Sequence, residues 1–250
     1  MIKRILVVMM ISFIISGYGC ATNSKLGIID YKDPNFETIT NSKIVNENYL
    51  VVWDKLVKNL ATSFYQINNI EKESRIINVS FFIDNNISQY VDCGTRTYIA
   101  IDKSYNTEQK WEKSINYNYY CSNNRGCVAC GGCPVTFTMK KDVSLSGRSN
   151  IYIAPIEDGN KTIITVNASY VITAKYNGYG ISYNCFGVPI ENANISPDDV
   201  NISFNTKNYG QYQTNSSGGN DQINCGVSNI RNITCTATGK FEEEILNMVR

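Results

Sequence analysis

The clearest pattern in the chain is a stripe of apolar residues at helical spacing shortly before residue 66. Its members are Trp53, Leu56, Val57, Leu60 and Phe64. Because positions three and four residues apart share one face of an α-helix, the stripe predicts an amphipathic helix over residues 49–65. The Asn68-Asn69 pair that follows is typical of the polar sequence beyond a helix end.

Alternating apolar residues predict several strands farther along the chain. The segment 75–82 (RIINVSFF) alternates and is rich in β-branched and aromatic residues, and residues 95–101 form a shorter segment of the same kind. Residues 150–156 and 161–175 flank the turn 157–160, which contains an Asp-Gly pair. These two strands are therefore predicted to form a hairpin.

The second strand of this hairpin has two chemically different faces. One face carries Ile164, Val166, Ala168, Tyr170 and Ile172, and the other carries Thr165, Asn167 and Ser169. Successive side chains of a strand point to opposite faces, so the pattern predicts that only the first face is buried.

The chain ends on a predicted strand, residues 232–236, and a predicted helix. Thr238 is a suitable N-cap, and the glutamates 242–244 lie in the first turn, where their charges offset the helix dipole. We therefore interpret these glutamates as a dipole-compensating helix face. The apolar side of this helix is predicted to be Phe241, Ile245, Met248 and Val249.

Two long inserts interrupt this order of elements. Residues 103–148 contain the densest group of cysteines, and residues 176–231 are rich in Asn, Gly, Tyr and Ser. Segments of this length inside a compact domain are usually functional or cross-linked. The elements together predict an α+β fold, in which an N-terminal and a C-terminal helix pack on one face of an antiparallel sheet that carries long, disulfide-stapled inserts.

The first 19 residues have the character of an export signal. Lys3 and Arg4 precede an apolar run over residues 5–15, which is too short to span a bilayer comfortably. Gly19-Cys20 resembles the cleavage site of a bacterial lipoprotein signal, although Gly17 stands where Leu is usual. Cys20 is therefore predicted to be lipidated, with an ordinary secretory signal as the alternative.

Lipidation of Cys20 predicts a permanent anchor, because each buried CH2 group contributes about 0.8 kcal/mol. Ala21 and Thr22 follow in place of the Asp that retains lipoproteins at the inner membrane, which favours the outer membrane, facing the periplasm. The polar residues 20–46 are predicted to be a tether, with a docking patch at residues 26–31 as the alternative reading. Residues 47–250 are predicted to form a single domain.

The composition narrows the possible classes of function. The chain has no histidine, which excludes Ser-His-Asp and Cys-His catalysis and every metal site that contains imidazole. Lys and Arg number 23 against 22 Asp and Glu, so a net charge of +1 gives no basic surface for nucleic acid. No pair of nucleophile and base stands out. We therefore predict a protein that is not an enzyme and has no cofactor.

The cysteine count fits an oxidising compartment. The chain has nine cysteines, and eight remain when Cys20 is lipidated, which permits four disulfides. These disulfide candidates are Cys93, Cys121, Cys127, Cys130, Cys133, Cys185, Cys225 and Cys235. Cys93 and Cys235 flank or lie within predicted strands and are candidates for one long closure, and a Cys185–Cys225 bridge would staple the second insert.

The closely spaced cysteines from Cys121 to Cys133 permit two further interpretations. The segment CVACGGCP approximates the spacing of an iron–sulfur motif, and four thiolates are also a zinc ligand set. The last cysteine spacing is imperfect, and an exported chain crosses the membrane unfolded, so disulfides are the preferred reading and no metal is predicted. Metal binding and redox or free-thiol chemistry stay open as alternatives.

Tyrosines accumulate in the two inserts. The partner-binding candidates are Tyr117, Tyr119, Tyr120, Tyr179 and Tyr183. Tyrosine among Asn, Ser and Gly is typical of adaptable binding loops, because its ring gives a large contact area at low entropic cost. The alternative is that these rings pack on their own loops.

The order helix, strand, strand, hairpin, strand, helix resembles the helix-grip domains of BamC-type lipoproteins, which are accessory parts of the outer-membrane β-barrel assembly machine. The resemblance is carried by Cys20 with its polar tether, WDKLVKNLATSF before RIINVSFF, SNIYIAPIEDGNKTIITVNASYVI, and TCTATGKFEEEILNMV. It covers about half of the mature chain at the level of layout. It implies a helix-grip fold that binds partners and has no catalytic residues. This chain departs from the family in having room for only one such domain and in its cysteine-rich inserts.

The sequence thus predicts a non-enzymatic envelope lipoprotein that acts as a periplasmic binding or assembly accessory protein, held to the membrane by its lipid and bound to an envelope protein partner. Two alternatives stay open. One is a metal- or redox-active protein that uses the cluster from Cys121 to Cys133, and the other is a surface-exposed lipoprotein that binds an external ligand.

Overall fold

The structure, a computed structural model, describes residues 28–99, 106–110, 112–123, 133–183, 188–195, 199–213, 223–224 and 232–249. The helices are α1 (Tyr49–Ala61) and α2 (Lys240–Asn247). The strands are β1 (Ile28–Lys32), β2 (Ser42–Val45), β3 (Gln66–Glu71), β4 (Ile76–Ile83), β5 (Val91–Asp92), β6 (Thr95–Ile99), β7 (Asn106–Lys110), β8 (Ile115–Asn123), β9 (Cys133–Ile156), β10 (Lys161–Tyr183), β11 (Pro189–Ile195), β12 (Val200–Asn205), β13 (Gly210–Gln213), β14 (Ile223–Asn224) and β15 (Asn232–Ala237).

A long hairpin, β9–β10, forms the centre of the main sheet. The pairing of its two strands extends from Lys161 opposite Ile156 to Ser182 opposite Val135. Shorter strands line its two outer edges: β2, β12 and β11 pair with β10, while β4 and β8 pair with β9. Strand β3 extends the sheet beyond β4, and two small sheets, β1-β6-β7 and β13-β15-β5, complete the fold. The predicted α+β class with an antiparallel sheet is confirmed.

The core lies between the two helices and one face of this sheet. All five apolar residues predicted to share a face of β10 are buried, which confirms that prediction. Helix α1 adds Val52, Trp53, Leu56 and Leu60, and α2 adds Phe241, Ile245 and Leu246. The Asn59 side-chain amide of α1 donates a hydrogen bond to the Met248 carbonyl oxygen just after α2, so the helices are neighbours over one core.

Helix α1 ends one turn earlier than the apolar stripe predicts. The hydroxyl groups of Thr62 and Ser63 donate hydrogen bonds to carbonyl oxygens of the last turn, which terminates the helix at Ala61. The chain then turns, so that Tyr65 is buried while Phe64 is 58% exposed. Phe64 therefore does not belong to the buried stripe, and Tyr65 takes that role.

Both strands of the central hairpin are much longer than the sequence predicts. Strand β9 begins at Cys133 rather than residue 150, and β10 continues to Tyr183 rather than ending at 175. The described parts of the inserts 103–148 and 176–231 are therefore largely paired strands, including β12, whose Val200, Ile202 and Phe204 are buried. Main-chain pairing with a neighbouring strand continues here even where the side chains are polar.

Part of the predicted tether is folded into the domain. Strand β1 pairs with β6, and β2 pairs with β10. Two parts of the segment 20–46, which was predicted to be a tether, are therefore strands of the folded domain, and the docking patch predicted at 26–31 is paired within the chain from Ile28 onward. The predicted signal peptide, residues 1–19, and Cys20 lie outside the described residues.

The N-terminal segment also fixes helix α2. The Lys43 ammonium group donates hydrogen bonds to the Leu246 and Val249 carbonyl oxygens at 3.2 and 3.0 Å, which satisfies acceptors at the helix C-terminus. At the other end, the residue before α2 is Gly239, with φ +82°, rather than the predicted N-cap Thr238. The Thr238 hydroxyl donates to the Gln89 carbonyl oxygen at 2.6 Å and accepts a hydrogen bond from the Lys240 N–H group at 3.3 Å.

Candidate binding surface

The sheet face opposite the helices carries rows of polar side chains. Partners in adjacent antiparallel strands share a face and have Cβ atoms about 4.5–5.5 Å apart. The registers of β4, β9, β10 and β12 therefore align two polar rows on this outer face. The first row is Asn78, Asn150 and Asn167, and the second is Ser80, Arg148, Ser169 and Asn205.

Hydrogen bonds between side chains hold this polar face in order. The Asn78 amide nitrogen donates to the Asn150 amide oxygen at 2.5 Å, and the Ser80 hydroxyl donates to the Asn68 amide oxygen at 3.2 Å. At the next strand, the Asn41 amide nitrogen donates to the Asn167 amide oxygen at 3.1 Å. Each of these contacts uses only part of the hydrogen-bonding capacity of the amides involved.

A shallow groove of about 620 Å³ opens over strands β3, β4 and β9. We call it the amide groove. Its lining residues are Gln66, Asn68, Asn69, Asn78, Val79, Ser80, Arg148, Ser149 and Asn150. Arg148 is the one charged residue among these lining residues, and its guanidinium group has no hydrogen bond or ion pair to any other described residue.

Exposed aromatic rings lie on this face beyond both ends of the groove. Tyr152 is 42% exposed and Phe82 is 63% exposed. Tyr152 follows Asn150 by two residues on β9, while Phe82 is opposite Ser146. Ser146 and Tyr152 are six residues apart on β9. At about 3.3 Å per residue, the Phe82 and Tyr152 rings are therefore about 20 Å apart along the strand direction.

The five tyrosines predicted to bind a partner lie on strands rather than loops. Tyr117, Tyr119 and Tyr120 are on β8, which pairs with β9 at residues 136–139 over this stretch. Tyr179 and Tyr183 are on β10, on the other side of β9. Three adjacent strands thus bring the five residues to the same end of the sheet, where Tyr179 is 53% exposed.

The long closure predicted between Cys93 and Cys235 is confirmed. The two residues form a disulfide across 142 positions of sequence, and both are fully buried. Cys121 lies on β8 and Cys133 begins β9. Cys127, Cys130, Cys185 and Cys225 lie outside the described residues. Within the described residues, no group of three or more Cys, Asp or Glu side chains is arranged to hold a metal ion.

Residue Tyr31 connects β1 to the disulfide. Its hydroxyl oxygen lies 2.8 Å from the Cys93 carbonyl oxygen and accepts a hydrogen bond from the Thr234 N–H group at 3.0 Å. Gly94 has φ +72°, and a Cβ atom there would lie 2.2 Å from the Lys32 carbonyl oxygen. The disulfide is therefore enclosed by the N-terminal strand.

Glu242 does not belong to the exposed helix face predicted for residues 242–244. It is fully buried, because α2 presents it to the core of the sheet. Its Oε1 atom accepts hydrogen bonds from the hydroxyl groups of Tyr170 at 2.9 Å and Thr206 at 2.8 Å. Burial, followed by the Glu242 charge, raises the pKa of Tyr170 above its usual range. Glu242 lines neither described groove, so this cluster is part of the core.

Glu112 is a second buried carboxyl group. It is 2% exposed, and neither carboxyl oxygen has a hydrogen-bond partner among the described residues. Burial raises the pKa of Glu112, an effect that the nearby backbone N–H groups of Glu112 and Cys93 and the Lys110 charge only partly oppose. This residue follows β7, and the sequence offered no sign of its burial.

A second groove of about 560 Å³ lies between residues 37–43 and α2. Its charged groups are already engaged within the protein: Lys43 binds the carbonyl oxygens at the end of α2, and Lys240 lies 3.4 Å from Glu243. The amide groove, whose guanidinium group has no partner in the described part of the chain, is therefore the better candidate for a binding site.

Comparisons with known proteins identify no relative of this chain. No family model matches the chain, and no curated protein and no solved structure matches it either. Among the described residues, no helix is long and apolar enough to cross a membrane.

Proposed function

We propose that this chain is a non-enzymatic binding protein of the bacterial cell envelope, anchored through a lipidated Cys20, and that the outer face of its main sheet is the binding surface. One observation carries this proposal. The helices cover one face of the sheet, whereas the described part of the other face presents ordered polar rows around the amide groove, with Tyr152 and Phe82 exposed beyond its ends.

The chemistry of the groove supports binding rather than catalysis. Its described lining residues supply amides, hydroxyl groups and one guanidinium group. A general base at neutral pH requires a carboxylate, imidazole, amine or thiolate, and these lining residues include none of them. Amide and hydroxyl groups both donate and accept hydrogen bonds, which suits recognition of a polar ligand.

The envelope location rests on two independent features. The N-terminal residues have the order of a lipoprotein signal, with a basic start, an apolar run and Gly19-Cys20. The buried Cys93–Cys235 disulfide is of the kind that forms and persists in an oxidising compartment such as the periplasm. Together they support a lipoprotein of the outer membrane that faces the periplasm.

We also assign the fold to the helix-grip arrangement of BamC-type lipoproteins. Support comes from α1 and α2, which pack side by side over one antiparallel sheet. In this arrangement the helix-free face is the open surface. The accessory role in envelope assembly that this resemblance implies agrees with a groove whose described lining residues include no general base.

A photo-crosslinking pair tests the proposed surface. Benzoylphenylalanine is placed at Ser146, an exposed outer-face position, or at Asp54, an exposed position on α1, in full-length protein expressed in its native envelope. We expect an adduct from position 146 and none from position 54. An adduct from position 54 alone, or from neither position, contradicts the proposal.

A further inference from the structure

We propose that the amide groove binds an oligosaccharide that carries carboxylate groups, with Arg148 as the carboxylate-binding residue. The inference rests on the proposed function, because it names the ligand class of that same surface. It follows from three properties of the described residues. These are the unpaired guanidinium group of Arg148, amides with free donors and acceptors, and the exposed ring of Tyr152, which lies two residues beyond Asn150 on β9.

Arg148 gives the groove its preference for an anion. The guanidinium group carries five N–H donors in a planar fork that matches a carboxylate in bidentate geometry. No carboxylate of the described chain pairs with it, and none lines the groove. A ligand carboxylate would therefore meet the positive charge without displacing an internal ion pair.

The amides around Arg148 match the hydroxyl groups of a sugar. The Asn78 amide nitrogen donates a hydrogen bond to the Asn150 amide oxygen. This contact leaves the Asn78 amide oxygen and the Asn150 amide nitrogen free to bind a ligand. Asn69 makes no side-chain hydrogen bond within the described residues. Each sugar hydroxyl both donates and accepts, as these amides do, so adjacent hydroxyls can be bound without an unpaired polar group.

Tyr152 offers an apolar platform next to these amides. Its ring is 42% exposed and lies two residues beyond Asn150 on the same face of β9. The face of an aromatic ring carries partial negative charge and a large apolar area, which favours the C–H faces of a sugar ring. A chain of several sugars would then place one ring on Tyr152 and a carboxylate at Arg148.

An extended acidic peptide fits this groove less well. Peptides that bind sheets usually add a strand at an open edge and gain main-chain hydrogen bonds. Here Arg148 and Asn150 lie on β9, which pairs with β4 on one side and with β10 on the other. Around Arg148 the groove therefore offers side chains only. Its main chain is unpaired only along the outer edge of β3, the last described strand of the sheet, which supplies Gln66, Asn68 and Asn69. Side-chain amides with a guanidinium group favour a polyhydroxylated anion.

Calorimetric titration of the full-length protein in detergent tests the inference. The probes are an oligogalacturonate, the same oligomer with its carboxylates reduced to alcohols, and an oligoglutamate peptide of similar charge. The variants are Arg148→Gln, Asn150→Asp, which repels a carboxylate without changing size, and Lys175→Gln. Lys175→Gln is the matched control, because Lys175 is an exposed cation on β10. It lies six residues beyond Ser169, the residue opposite Arg148, and is therefore about 20 Å from Ser169 along the strand.

We expect the oligogalacturonate to bind at least about tenfold more tightly than its reduced form or the peptide, and more weakly as salt is raised. Arg148→Gln and Asn150→Asp should each weaken the binding of oligogalacturonate about tenfold or more, with unchanged unfolding midpoints. Lys175→Gln should change the affinity for oligogalacturonate less than about twofold. Equal binding of the peptide, no binding of the oligogalacturonate, or an equal loss with Lys175→Gln overturns the inference. A crosslink from position 146 alongside such a result would leave the surface correct and only the ligand class wrong.

Discussion

The ring of Phe81 on β4 lies against the backbone of Gly147 on β9, so closely that a Cβ atom at Gly147 would be 2.2 Å from the ring. Phe81 also stacks on Phe241 of α2, with ring centroids 5.0 Å apart. Because Gly147 has no side chain, the Phe81 ring can pack between the backbone of β9 and the Phe241 ring of α2.

Replacing Gly147 by Ala should destabilise the protein by about 1–3 kcal/mol, the usual cost of forcing extra volume into a packed core. The measurement is the free energy of unfolding in urea. Ser146→Ala, one residue away on the exposed face, is the control and should stay within about 0.5 kcal/mol of the parent protein. Equal effects of the two variants would show that Phe81 moves aside freely.

The Tyr31 hydroxyl group should contribute to stability through its partly buried hydrogen bonds. Tyr31→Phe leaves the Thr234 N–H group without its partner, which costs about 1–3 kcal/mol when the group is desolvated. Tyr152→Phe removes an exposed hydroxyl and should have little effect. If chemical denaturation finds no loss for Tyr31→Phe, residues 28–32 act as a tether rather than as part of the domain.

Three tyrosine hydroxyl groups donate to glutamates of α2, and Tyr90 shares Glu244 with Tyr65 at 3.2 Å. The Tyr170–Glu242 and Tyr65–Glu244 contacts should differ in strength because they differ in burial. Tyr170 donates to the fully buried Glu242 at 2.9 Å, whereas Tyr65 donates at 2.6 Å to Glu244, whose side chain is 30% exposed. We expect Tyr170→Phe to cost about 1.5–3 kcal/mol and Tyr65→Phe clearly less, since water can replace the lost bond at Glu244. Thermal unfolding of the two variants decides this, and the reverse order would contradict the burial argument.

Glu112 should make stability depend on pH. Because burial raises its pKa in the folded state, folding favours the protonated form. This contribution is present below the pKa of the unfolded chain and is lost as the pH rises through the raised, folded-state value. Glu112→Gln, which mimics the protonated group, should therefore unfold at a higher temperature than the parent protein at pH 7.

The two proteins should converge as the pH is lowered toward the usual glutamate range, because Glu112 then becomes protonated in both states. Glu71→Gln is the control, since Glu71 is exposed on β3. A gain that is independent of pH, or shared by Glu71→Gln, would contradict the assignment of this effect to Glu112.

Local patterns predicted the elements that bury one face. The apolar stripe of α1 and the alternation from Ile164 to Ile172 report directly on burial, so both were found from sequence. The long closure between Cys93 and Cys235 was one candidate pairing among several, suggested because these residues flank or lie within predicted strands. For the stripe and the alternation, the deciding information lies within a few neighbouring residues.

The missed features depend on residues that are distant in sequence. Glu242 looks like a surface glutamate until Tyr170, 72 positions away, is packed against it. The first half of β9 has too many polar residues for its alternation to stand out, yet it pairs along its length with β10. The amide groove depends on register, because only the pairing of Asn78 with Asn150 converts separate polar residues into a surface.

The most direct test of the proposed binding surface is hydroxyl-radical footprinting of the full-length protein, in native envelopes and again after purification in detergent. Four exposed side chains report on the two faces: Tyr152 and Phe82 on the outer face, and Leu50 and Phe64 on the side of the helices. We expect Tyr152 and Phe82 to be protected in the envelope and Leu50 and Phe64 to react equally in both samples. Protection of Leu50 and Phe64 with unchanged reactivity of Tyr152 and Phe82 would contradict the account.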